Sequence, residues 1–122
     1  KLNPETDSII DAPPGNARVT REALENCDFC LLATEPTPFG LKDLQGNKAL
    51  CDLLDIPTGV IVNRAGGLYQ GIREWCAAQK IPILADIPFS LETARQAARG
   101  STLPEIDPSW KRRLQTVWEE IS

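Results

Sequence analysis

The chain has 122 residues, 42% of them hydrophobic and 25% charged, which is the balance of one globular domain able to bury about two-thirds of its unfolded surface. Thirteen Lys and Arg against seventeen Asp and Glu leave a net charge of −4, which argues against nucleic acid or an anionic membrane as partner. No apolar run approaches the roughly 20 residues needed to span a bilayer, so the expected location is the cytoplasm.

The whole chain, 1–122, reads as a single domain. Residues 1–7 are a polar lead-in. The stretch Ser8-Ile9-Ile10-Asp11-Ala12-Pro13-Pro14-Gly15 follows. Ile9 and Ile10 have the continuous β-branched character of a strand buried on both faces. Pro13 and Pro14 cannot continue it, because each lacks an N–H for the ladder. Asp11 is therefore expected at the carboxyl end of a buried strand, where open α/β sheets place their ligands. Two readings of the spacing stand side by side: a solvated acid in a Pro-rich turn, or an acid that organises a metal ion.

Residues 19–26 follow helical spacing, and the apolar run 29–34 is a second expected strand, covered on both faces. The loop Glu35-Pro36-Thr37-Pro38-Phe39-Gly40 comes next. A helix is predicted over 41–55, a strand over 59–62 ending at Asn63-Arg64, a helix over 68–79 and a strand over 81–85. Ser90 caps a helix that runs to about Arg99 and ends at Gly100. Residues 101–107 read as a loop, and 108–121 as an extra C-terminal helix with Trp110, Leu114, Val117, Trp118 and Ile121 as its apolar stripe. Strand and helix alternate four times, the pattern of a three-layer α/β/α fold with a mainly parallel sheet.

The four cysteines are Cys27, Cys30, Cys51 and Cys76. Cys27 and Cys30 form a C-x-x-C, a spacing used by zinc and redox sites. Cys30, however, falls in an expected buried strand, and the chain has no His. Free buried thiols are the simpler reading.

Functional residue types recur at successive strand ends: Asp11, then Glu35 and Thr37, then Asn63 and Arg64, then Pro88 and Phe89. In a parallel sheet these points share one rim and can line one crevice. The ordered blocks Ile9-Ile10-Asp11-Ala12-Pro13-Pro14-Gly15, Thr34-Glu35-Pro36-Thr37-Pro38-Phe39-Gly40-Leu41 with Asp43, Val60-Ile61-Val62-Asn63-Arg64, and Ile81-Pro82-Ile83-Leu84 with Ile87-Pro88-Phe89 resemble the C-terminal half of a MinD/ParA-type P-loop ATPase. The similarity is greatest to the branch with an inserted ferredoxin domain, and it covers residues 8 to 100.

The resemblance implies roles. Asp11 matches the acid that organises magnesium through water, and Pro13 and Pro14 match the switch loop. Gly15 matches the glycine whose N–H lies near the terminal phosphate. Asn63 matches the residue that reads the adenine edge with its amide, both donor and acceptor. Arg64 stands beside it, and Pro88 with Phe89 matches the loop packing on the base. ATP and magnesium are the implied cofactors of the intact protein, with Asp11 and Gly15 in the catalytic machinery. The implied partners are a second copy in a homodimer, the missing N-terminal P-loop half and a ferredoxin-like domain linked to iron–sulfur electron transfer.

The chain also departs from that pattern. The Gly-rich phosphate loop with its lysines is absent, and Gly46-Asn47-Lys48 is no substitute, because no Gly lies five residues earlier and Ala49 replaces Ser or Thr. No cysteine here matches the family's iron–sulfur ligands. Asn16-Ala17-Arg18-Val19 replaces the Thr-Ser-Cys-Pro run common after the switch glycine. The opening at Lys1 and the lack of Met are what a fragment would show. The expectation is an ATP-binding fragment, catalytically dead alone. The alternative is a non-catalytic homodimeric interaction module derived from this fold.

Overall fold

The computed structural model describes residue 3, residues 5–13 and residues 18–121. Three strands form one parallel sheet in the order β1-β2-β3: β1 (Cys30–Thr34), β2 (Thr58–Ala65) and β3 (Ile83–Pro88). Helices α1 (Arg18–Leu24), α2 (Pro38–Leu53), α3 (Gly71–Gln79), α4 (Leu91–Ala98), α5 (Leu103–Ile106) and α6 (Ser109–Ile121) complete the described chain. The parallel α/β class expected from the sequence is what the chain adopts. None of these helices is long and apolar enough to cross a membrane.

Parallel neighbours cannot be joined by a tight turn, so α2 and α3 serve as the crossovers. Both crossovers step the same way along the sheet, and the right-handed rule for such connections puts both helices on one face, where their buried residues share one core. That face holds the main core. Leu32, Val60 and Val62 rise from the sheet to meet Leu44 and Cys51 of α2 and Ile72 and Cys76 of α3. Burial pushes the Cys76 thiol up from its ordinary pKa.

The start of α2 is fixed locally. Thr37 is its N-cap, accepting a hydrogen bond on Oγ1 from the Gly40 amide at 2.9 Å, and Pro38 supplies a preset φ in the first turn. The buried Thr34 hydroxyl donates to the Gly40 carbonyl at 3.0 Å. A side chain at Gly40 would collide with the Glu35 carbonyl oxygen, so only glycine lets the loop fold back on the strand end. The helix therefore begins three residues before the predicted 41.

Four expectations are corrected. First, Ile9 and Ile10 form no strand, and they stand 73% and 57% exposed. A strand exists only by pairing, and among the described residues neither sheet edge pairs with this run. The segment is tied down instead through the Pro13 carbonyl, which accepts from the buried Thr20 hydroxyl of α1 at 3.2 Å. Second, β1 is covered on one face: Leu32 and Thr34 are buried, while Leu31 and Ala33 point to open surface. Third, the expected loop 101–107 contains the short helix α5, with Pro104 in its first turn. Fourth, Asn63 and Arg64 lie inside β2, and Pro88 is the last residue of β3.

β2 and β3 pair with two register shifts, one between Val60 and Ile61 and one between Val62 and Ala65. The amphipathic α6 packs against β3 and α5, burying Trp110 and Val117 away from the main core. Arg113 stacks over the Trp110 ring at 4.7 Å. Asp107 caps this helix, its Oδ1 accepting from the Ser109 amide at 3.0 Å.

Truncating Ile72→Ala should cost about 2–5 kcal/mol in urea unfolding, as a cavity in a packed core does. Ile9→Ala should stay within about 0.5 kcal/mol, because it removes an exposed group. The Ser109 backbone and side-chain hydrogen bonds hold the Asp107 carboxyl below its ordinary pKa. A lowered folded-state pKa stabilises above the unfolded value and is lost as pH falls through the folded one. Asp107→Ala should therefore lower Tm at neutral pH, and the deficit should vanish in strong acid when both melts are followed by circular dichroism.

Candidate functional site

Because the strands are parallel, their carboxyl ends meet at one edge of the sheet, and so do the loops that leave them. The β1 loop carries Glu35, Pro36 and Thr37, anchored by the Thr34 and Thr37 hydrogen bonds. β2 runs out into Gly66 and Gly67, whose φ values of 136° and 79° turn the chain sharply toward α3. β3 ends at Pro88, paired with Ala65, and the Phe89 amide donates to the Ala65 carbonyl at 3.0 Å. This bond clasps the β2 and β3 ends together.

Between these three loops lies an open cleft of about 520 Å³. Residues 35–37 bound it on the β1 side, residues 64–67 come from the end of β2, and Phe89 from the end of β3. A smaller cavity of about 190 Å³ shares Pro36 and residues 65–67 with it and extends to Tyr69, Gln70 and Arg73 of the α3 start. The first volume lies in the range of small-molecule sites, which run from about 300 to 1,000 Å³.

The polar groups are few. Arg64 sits at φ 52°, a left-handed conformation that an L-residue adopts at a cost. Its Nε lies 3.5 Å from Glu35 Oε1, with side chains 64% and 50% exposed. Such an exposed pair contributes at most about 1 kcal/mol, so it balances charge at the mouth more than it stabilises the fold. The exposed Asn63 side chain accepts on Oδ1 from the Arg64 amide at 3.0 Å. Phe89 is 57% exposed and offers an open aromatic ring to whatever enters.

Deeper on the helix-facing side, Arg73 of α3 reaches Asp86 of β3, with Nη2 and Oδ2 2.7 Å apart. The Asp86 hydrogen bond and charge push Arg73 further above its already high pKa. The other carboxylate oxygen, Oδ1, is buried without a partner. The sequence reading missed this pair. An acid inside the apolar run Ile83–Pro88 was the available signal, since a carboxylate there calls for a nearby cation.

Of the residues singled out from the sequence, Arg64 and Phe89 line the cleft together with Glu35 and Thr37. Pro88 and Asn63 flank it without lining it. Asp11 and Pro13 are exposed in the irregular segment before α1 and do not line the cleft. Pro14 and Gly15 lie outside the described residues. Among the described residues, no three His, Cys, Asp or Glu side chains are grouped to hold a metal ion. Asp11 accordingly offers a single carboxylate. Magnesium accepts one carboxylate when water and phosphate oxygens complete its octahedron.

No protein-family profile matches the sequence. The chain is similar to the uncharacterized protein MJ0579 of Methanocaldococcus jannaschii, with 37% identity over 59 residues. The match takes in 48% of this chain and 22% of that protein, so the chain spans well under half of the relative's length.

Proposed function

We propose that the cleft at the carboxyl ends of β1, β2 and β3 takes the adenine end of ATP, and that the chain is a C-terminal fragment of a MinD/ParA-type ATPase, carrying its switch and adenine-recognition segments. The observation that supports this reading is the cleft itself: about 520 Å³, open, and bordered by an exposed aromatic ring and a charge-balanced rim. Phe89 provides the flat apolar surface a purine stacks on. Asn63, which flanks the cleft, would turn its amide to the base edge, donating through its N–H groups and accepting from an exocyclic amine on Oδ1 once it releases the Arg64 amide. Pro88 holds Phe89 at the end of β3. Asp11 would meet magnesium through water, Gly15 the terminal phosphate, with Pro13 and Pro14 as the switch between them. Bound magnesium-ATP would supply the phosphoryl chemistry. This chain's own part is to hold and orient the base. Without a phosphate loop, it lacks the N–H groups and lysine that give phosphates most of their binding energy.

Amide-resolved NMR titration of the chain with adenosine and with magnesium-ATP tests this. Shifts should concentrate at Arg64, Gly66, Gly67 and Phe89, with a Kd on the order of 1 mM that differs little between the two ligands. Shifts spread away from the cleft would reject the base site. A micromolar Kd for magnesium-ATP would reject the statement that the phosphate machinery is missing.

A second reading, a non-catalytic homodimeric interaction module, draws on a different observation. β1 has a free edge among the described residues, and Leu31, Ile9 and Ile10 stand 40%, 73% and 57% exposed. An unpaired strand edge beside exposed apolar groups is a template for pairing with another chain. Light scattering should then return twice the 13.4 kDa of one chain, whether or not nucleotide is present. A monomer would remove this reading.

A further inference from the structure

The smaller cavity of about 190 Å³ takes no part in holding the base. It shares Pro36 and residues 65–67 with the cleft, so the two volumes meet at the turn through Gly66 and Gly67. Nothing lies within 4 Å of where a side chain would begin at either glycine, so a ligand can cross that turn over bare backbone. Beyond it the walls are mixed. Val62 and Ile72 are buried core residues and supply an apolar floor. Tyr69 is half-buried and packs on the core. A side chain at Gly71 would collide with the Tyr69 ring and hydroxyl, so glycine there lets the phenol lie against the start of α3. Gln70 is exposed and makes no side-chain capping bond to that helix, which leaves its amide for another partner.

Arg73 completes the wall, and its charge is already met. Its Nη2 lies 2.7 Å from Asp86 Oδ2, while Oδ1 of that carboxylate is buried without a partner. Swinging Arg73 away to an anion would strip the cation from a carboxylate that already has one oxygen unsatisfied. The guanidinium therefore stays, and it offers the cavity the N–H groups that Asp86 does not use. At the cleft mouth Arg64 is likewise paired with Glu35. Both cations that line the two volumes are thus balanced by carboxylates. The joint site suits a neutral ligand with a flat ring at one end and hydroxyls at the other.

We propose that the smaller cavity is a ribose subsite. Gln70 and the Tyr69 hydroxyl bond the 2′- and 3′-hydroxyls, Arg73 donates to a ribose oxygen, and Asp86 is a positioning residue that holds Arg73 in place. The subsite rests on the reading of the cleft as the adenine site, and it makes the nucleoside, rather than its phosphates, what this chain recognises. Each ribose hydroxyl both donates and accepts, which matches an amide and a phenol that do the same. A phosphate would bring negative charge to a wall with no unpaired cation.

The test is NMR titration of the intact chain with three neutral probes: adenine, adenosine and 2′,3′-dideoxyadenosine. Adenine should shift Phe89 and leave Gln70 and the Arg73 Nε–H in place. Adenosine should shift all three and bind roughly tenfold more tightly than 2′,3′-dideoxyadenosine, as the loss of two solvent-competed hydrogen bonds implies. Gln70→Ala, a change at an exposed position, should weaken adenosine about fivefold and leave adenine unchanged. Asp86→Asn should move the Arg73 Nε–H signal and weaken adenosine alone, a split that general loss of structure would not produce. Equal affinity for adenosine and 2′,3′-dideoxyadenosine, with Phe89 still shifting, would overturn the ribose subsite and spare the adenine site. Inorganic phosphate that shifts Gln70 and Arg73 as strongly as adenosine does would also overturn it, by marking an anion pocket. No shift at Phe89 with any probe would remove the adenine reading and the subsite together. The comparison of probes on the unaltered chain decides the matter even if a variant fails to fold.

Discussion

The central strand Thr58–Ala65 is the constraint on which the other elements depend. Among the described strands it alone is hydrogen-bonded along both edges. Its neighbours run parallel to it, so each must be reached by a helix, and both helices fall on one side. Their apolar faces then have one place to go, over Val60 and Val62. The same parallel arrangement gathers three strand ends and their loops at one edge. The core and the cleft thus follow from a single pairing pattern.

The elements that could be read from sequence were those whose local signals agree with their tertiary setting. Val60, Ile61 and Val62 sit between two strands, and a continuous β-branched run describes such a position correctly. The run at Ile9 and Ile10 looks the same locally but has no neighbouring strand among the described residues, and a propensity cannot reveal a missing partner. Leu31 and Leu32 likewise read as equally buried, yet only Leu32 meets a helix. In the cleft, Glu35, Thr37, Arg64 and Phe89 were within reach of sequence reasoning because each follows or ends a strand. The contact of Arg73 with Asp86 was not. It joins a helix to a strand across a packing interface whose geometry no spacing rule states. The start of α2 did carry a legible signal in Thr37-Pro38, a cap followed by a proline, which the apolar periodicity beginning at Leu41 overshadowed.

The chemistry at the strand ends depends more on positioning than on strong attraction. Glu35 and Arg64 are exposed and cancel each other's charge, and Phe89 contributes surface without a fixed partner. What is rigid is the backbone around them: the Gly40 fold-back, the Thr37 cap, and the Phe89 amide on the Ala65 carbonyl. The cleft is thus a shallow surface held in a well-bonded backbone frame.

The two register shifts between β2 and β3 are opposite in sense. From Val60 to Ile61 the partner moves two residues, from Ile83 to Ala85, so β3 carries an extra residue at Leu84. From Val62 to Ala65 is three residues, while the partner moves only from Asp86 to Pro88, so β2 returns the excess around Arg64. The first shift sets Asp86 beside Val62, on the side where Arg73 can reach it; an unbroken ladder would have set it beside Asn63 on the opposite side. The second restores the alignment that pins Phe89. Insertions and deletions in these strands are therefore coupled: losing one residue near Leu84 preserves the mouth of the cleft only if one is also lost near Arg64. Relatives of this chain should gain or lose the two together.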